Sequence, residues 1–122
     1  MTWAGWANQL LGALGAPATP ARLRFLAAWQ KCEGGTAAFN PLNTTMPLLG
    51  ASDYNGAHVK NYRDELQGLA ATLLTLRLDY YHGLVQALRA PNLTAVQIAQ
   101  KGALGLDTWG TGSKHVLAAL GH

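Results

Sequence analysis

Cysteine is almost missing from this chain: one residue, Cys32, in 122. A lone thiol excludes an intramolecular disulfide and any thiolate metal cluster, so the fold needs no cross-link and can form in a reducing compartment. Charge is also scarce, with six Asp and Glu against nine Lys and Arg and a net charge of +3. No cluster of basic residues and no basic run interleaved with aromatics occurs, which argues against nucleic-acid binding. The mild positive balance suits an anionic cell wall instead. The four histidines, His58, His82, His115 and His122, show no metal-ligand spacing and no HExxH, so no metal or other cofactor is expected. Gly110 and Gly112 follow no strand and make no phosphate loop. No apolar run is long enough to span a bilayer. Met1-Thr2-Trp3 lacks the basic region of a secretory signal, and none is expected.

What is present reads as one domain, long enough to bury a core without staples. Residues 2 to 14 predict an amphipathic helix with Trp3, Trp6, Leu10, Leu11 and Leu14 on a wide apolar face. That face caps the core, or docks a partner or a membrane interface. Gly15-Ala16-Pro17-Ala18 links it to a second helix, for which Thr19 is an N-cap and Pro20 fits the first turn. Leu23, Leu26, Trp29 and Cys32 recur along it at helical spacing, with Phe25 widening the face, and Gly34-Gly35 ends it. Further along, Asp64 and Gln67 have the spacing of a capping box. They open a segment, Leu66 to Leu76, apolar nearly all round and expected to be the central buried helix. A break at Tyr80 to Gly83 precedes a helix from Leu84 to Ala90. Thr94 with Gln97 opens another through Gln100, and Ser113 opens the last, to Leu120. There is no internal repeat and no second domain.

Glu33 is the residue that breaks a local rule. It stands in the last turn of its helix, where the dipole disfavours a negative charge and favours the protonated form. A solvated terminal Glu and a general acid both fit that position. After it comes Gly34 to Thr45, rich in Asn, Thr and Gly, and then a second polar stretch, Tyr54 to Tyr62. These predict two short strands, Leu42 to Met46 and His58 to Tyr62, joined by a loop carrying the turn formers Pro47, Gly50, Ser52, Asp53 and Asn55. So small a sheet must lean on the helices. The expected fold is α+β, mostly α, with a cleft between a helical lobe and a small hairpin lobe and Glu33 on its helical wall.

The phrases Trp29-Gln30-Lys31-Cys32-Glu33-Gly34-Gly35, Phe39-Asn40-Pro41-Leu42-Asn43-Thr44-Thr45 and Val59-Lys60-Asn61-Tyr62 resemble the lysozyme-like superfamily. More narrowly they resemble the small lytic-transglycosylase-like and muramidase-like proteins of actinobacteria and their phages. The order of helix-terminal Glu, Asn-rich strand and Tyr-ended strand is also similar to the bacterial glucosaminidase pattern. The likeness runs from about residue 25 to 112, with Asp107-Thr108-Trp109-Gly110-Thr111-Gly112 as its last piece. It departs from typical lytic transglycosylases in lacking their Gly-Leu-Met-Gln type segment. The resemblance implies a single lysozyme-like domain over 1–122: an N-terminal helix and linker (1–18), the matching core (19–112) and a C-terminal helix (113–122). It implies a glycosidase or lytic transglycosylase acting on the glycan strand of peptidoglycan. It also implies an endolysin or virion-associated enzyme, held in a virion or the host cytoplasm until it reaches the wall. A virion or lysis-cassette partner would then meet the Trp3/Trp6 face.

Glycosidic cleavage commonly uses two carboxylates. Asp53, in the hairpin loop, is the candidate second one, able to activate water or merely to close an Asx turn. Asp64 reads as a cap, Glu65 suits a first helical turn, Asp79 ends a helix and Asp107 sits in a turn. If Asp53 is structural, the resemblance implies a route without water: Glu33 protonates the glycosidic oxygen, then acts as base while the muramyl 6-hydroxyl closes an anhydro ring. Asn43, Thr45 and Tyr62 are the expected sugar contacts, with Asn55 and Asn61 behind them and Tyr80 and Trp109 offering ring faces. Cys32 reads as a small buried apolar residue rather than a nucleophile. Two other readings stay open: a non-catalytic wall-binding or virion module on the same fold, and a helical assembly protein docking through Trp3 and Trp6.

Overall fold

A computed structural model describes all residues, Met1–His122, and its architecture is α+β and mostly α. Helices α1 (Trp3–Ala13) and α2 (Pro20–Glu33) come first, followed by strands β1 (Ser52–Asp53) and β2 (Lys60–Asn61). After them come α3 (Glu65–Leu76), a 3-10 turn at Asp79–Tyr81, α4 (His82–Arg89), α5 (Ala95–Lys101), α6 (Ala103–Trp109) and α7 (Ser113–Ala119). No helix is long and apolar enough to cross a membrane.

The helix ends follow the capping residues. The Thr2 and Thr19 side chains accept from Gly5 N and Arg22 N, and Pro20 opens α2 where its missing N–H costs nothing. Gly34, left-handed at φ 63°, closes α2 directly after Glu33. Thr94 and Gln97 form the complete capping box at α5. Asp64 caps α3 through Gln67 N, while the Gln67 side chain reaches back to Arg63 N instead of Asp64 N.

The core centres on α2, not on α3 as the apolar run from Leu66 to Leu76 suggested. Phe25, Leu26 and Trp29 of α2 are completely buried, and α1, α5 and α7 pack around them. In α3, Leu66, Ala70 and Leu74 recur every fourth residue and form an outward stripe, with Leu66 71% and Leu74 43% exposed. An apolar composition does not tell which face is covered. Most of the Trp3/Trp6 face turns inward: Trp6, Leu10, Leu11 and Leu14 are buried, and Trp3 stacks on Trp6 with centroids 5.5 Å apart.

The sheet is smaller than expected and differently paired. Ser52 pairs with Asn61 and Asp53 with Lys60, so β1 lies inside the segment expected to be the loop. The segment Leu42 to Met46 forms no strand. Asn43 is left-handed at φ 58°, and the Thr44 N–H is taken by Asn40 Oδ1 at 3.0 Å, so no ladder can propagate. One backbone bond, Lys60 N to Thr44 O at 3.3 Å, ties the segment to β2. Asn40, 1% exposed, completes the join by donating to Thr44 O (2.9 Å) and Lys60 O (2.8 Å). Asn40→Ala would strip these partners from buried groups and is expected to cost about 2–3 kcal/mol. Urea unfolding reads this, and a loss under about 0.5 kcal/mol would show that water replaces the amide at no cost.

Candidate functional site

Glu33 is held by two side chains, one on its own helix and one in the loop that follows. One turn back on α2, the Trp29 indole N–H donates to Glu33 Oε1 at 3.3 Å. From the loop after α2, the Asn43 amide donates to Glu33 Oε2 at 3.1 Å and to the Glu33 main-chain oxygen at 2.8 Å. The left-handed backbone of Asn43 turns its side chain back onto the helix end and satisfies one of the open α2 carbonyls. Behind Trp29, Trp109 meets it edge to face with centroids 5.0 Å apart and donates its indole N–H to Leu42 O at 2.7 Å. Tyr81 packs on Trp109 at 5.1 Å, so an aromatic chain from Phe25 to Tyr81 backs the carboxyl with apolar surface. Burial pushes the Glu33 carboxyl above its ordinary range, against the opposing pull of the Asn43 and Trp29 bonds.

Beside Glu33 an open depression of about 530 Å3 is lined by Cys32 and Glu33 at the end of α2, Gly110 and Thr111 before α7, and His115 and Ala118 on α7. Burial, then the Glu33 charge, raise the Cys32 thiol, which keeps it protonated and a poor nucleophile. No group of three His, Cys, Asp or Glu side chains is placed to hold a metal ion.

The other expected site residues divide. Asp53 lies on the exposed hairpin, bonded to Lys60 Nζ and, at 3.1 Å, to His58 Nδ1. Those two bonds, Lys60 first, hold its carboxyl below the usual carboxylate range. Asn55 Oδ1 accepts from Ala57 N and Val59 N within the hairpin turn, and Asn61 Oδ1 accepts from Ala38 N at 2.9 Å. Tyr62 is buried, its hydroxyl donating to Met46 O at 2.6 Å, and burial pushes the phenol up to about 12. These four side chains are occupied within the protein. Thr45 and Tyr80 are exposed, Tyr80 by 67%. Asp107, expected in a turn, belongs to α6 and accepts from Ser113 N at 2.6 Å, a bond that lowers its carboxyl.

Two contributors were not read as site residues, while Thr111 lies in the Trp109–Gly112 segment that reads as a loop packing near the cleft. Trp29 was readable, since a residue one turn before a helix-terminal Glu is within reach of it. His115 carries no local signal, because it comes to the depression only through the packing of α7 on α2. No family model, no curated protein and no solved structure matches the chain.

Proposed function

We propose that this protein cleaves the glycan strand of peptidoglycan, with Glu33 as the general acid. The observation that carries the reading is the carboxyl itself: half-buried, raised by burial, backed by aromatic rings and open to a depression wide enough for a sugar ring. A protonated carboxyl so placed can give its proton to a glycosidic oxygen. The carboxylate left behind is met by the Asn43 and Trp29 donors already in position, which stabilise that charge without rearrangement. The resemblance of the segments around Glu33 and Asn43 to lysozyme-like proteins supplies the substrate class.

Asp53 is not part of this machinery. Its carboxylate is engaged by Lys60 and His58 on the hairpin surface. Asp53→Asn is therefore expected to leave the cleavage rate unchanged, and a large loss would return Asp53 to the site. Mass spectrometry of soluble products from purified peptidoglycan tests the whole reading. Released disaccharide fragments are expected from the natural sequence and not from Glu33→Gln. No fragments from either protein, with retained pull-down on the wall, would replace the enzyme with a glycan-binding module.

A further inference from the structure

If Glu33 gives the proton and Asp53 is engaged elsewhere, the base is either Glu33 itself, in the route without water, or, where water attacks, another side chain. The depression beside Glu33 holds one nitrogenous side chain, His115. Its Nδ1 lies 2.8 Å from Thr111 O. A carbonyl oxygen only accepts, so Nδ1 carries the hydrogen and the neutral ring keeps its lone pair on Nε2. The loop that presents this carbonyl turns sharply through Gly110 (φ 111°) and Gly112 (φ 87°). Thr111 adds a second observation: its hydroxyl oxygen is buried beside the depression and meets no partner in the protein. An unpaired buried hydroxyl in such a place calls for a water or a sugar hydroxyl.

We propose that His115 is the base that activates water for attack, which makes the enzyme an inverting hydrolase. The inference rests on the reading of Glu33 as the acid. The Glu33 proton passes to the glycosidic oxygen, and the C1–O bond breaks with its electron pair on that oxygen. The water oxygen bonds C1 from the opposite face, and its proton passes to His115 Nε2. Solvent then returns a proton from the imidazolium to the Glu33 carboxylate. The Thr111 hydroxyl positions the water or the neighbouring sugar.

The test uses His115→Asn, whose amide keeps a donor for the Thr111 carbonyl but offers no base, alongside Glu33→Gln. The natural sequence is expected to release reducing ends, inverted at C1 when early products are read by NMR. His115→Asn is expected to lose about 100-fold or more in rate while still binding peptidoglycan. Added azide, a nucleophile with no proton to lose, is expected to restore its cleavage and give a glycosyl azide. It is not expected to rescue Glu33→Gln, which lacks the acid. Anhydromuramyl ends from the natural sequence, a full rate in His115→Asn, or a slow variant that azide does not rescue would each overturn the role of His115 and leave Glu33 standing. No cleavage by the natural sequence would overturn the Glu33 reading, and the base with it.

Discussion

Glu33→Gln is expected to lower glycan cleavage by about 100- to 10,000-fold and, at neutral pH, to yield the more stable protein. The first effect is the loss of the proton donor. The second follows from burial. A folded-state pKa raised above the unfolded value means that the folded protein binds the proton more tightly. The stability belonging to that proton is complete below the unfolded pKa and is lost as pH rises through the folded one. A Gln amide carries no charge to desolvate, so the variant escapes this loss. The difference in melting temperature, variant minus natural sequence, is expected near zero at pH 4 and positive at pH 7.5. A gain of about 1 kcal/mol is the usual scale for relieving a destabilised catalytic group. Asp53 and Asp107, whose carboxyls are lowered, have the opposite pH dependence, but both proteins share them and they cancel in the difference. Equal melting temperatures at both pH values, with intact activity, would return Glu33 to the ranks of solvated terminal residues.

The prediction depends on how the carboxyl is held. Asn43 and Trp29 both donate to it, and donors by themselves favour the charged form. Burial against the Trp29–Trp109 pair outweighs them. For the general acid proposed here the balance is apt, because such a group loses and regains its proton in each turnover. Too few donors would strand the charge after transfer, and too many would prevent the proton from being held beforehand.

Much of the helical frame was legible because its signals are local. Thr19, Pro20 and Gly34 bracket α2 by capping chemistry alone, and Thr94 with Gln97 does the same for the start of α5. The position of Glu33 at the helix end came with them. What was not legible depends on tertiary pairing. The Asn-rich segment after Glu33 reads as a strand, yet the Asn40 amide satisfies backbone groups that a ladder would have paired, and Asn43 is left-handed with its amide on the end of α2. Asn43 reads as a sugar contact, and the sequence gives no sign that its amide also grips Glu33. Residues 103–109 carry no N-cap bond to announce a helix, and Asp107 reads as a turn residue, but they fold as α6, packed on α4 and α5. His115 gives no local sign at all, since α7 brings it to Glu33 from 82 positions along the chain.

Gly68→Ala is expected to be the most damaging substitution of a small residue. A Cβ built on Gly68 would lie 1.8 Å from Phe39 O and 2.9 Å from Phe39 C. Both are backbone atoms of the loop between α2 and β1, so no side-chain rotation relieves the contact. The loop cannot withdraw freely either. Ala38 beside it is bound on both sides, its N–H by Asn61 Oδ1 and its carbonyl by Tyr62 N, each at 2.9 Å. Phe39 is already left-handed at φ 55°. Accommodation requires α3 and this loop to separate, at a cost of about 3 kcal/mol or more. The same loop carries Asn43, so cleavage is expected to fall together with stability. Gly34→Ala is the matched control: its φ of 63° carries a backbone penalty, but nothing lies within 4 Å of its Cβ. That conformational term alone is about 1–2 kcal/mol. Urea midpoints of the two variants separate the effects, with Gly68→Ala expected to lose clearly more than Gly34→Ala. Equal losses would mean that the loop yields to α3, and that Asn43 is held on Glu33 by its own bonds and not by the packing beneath it.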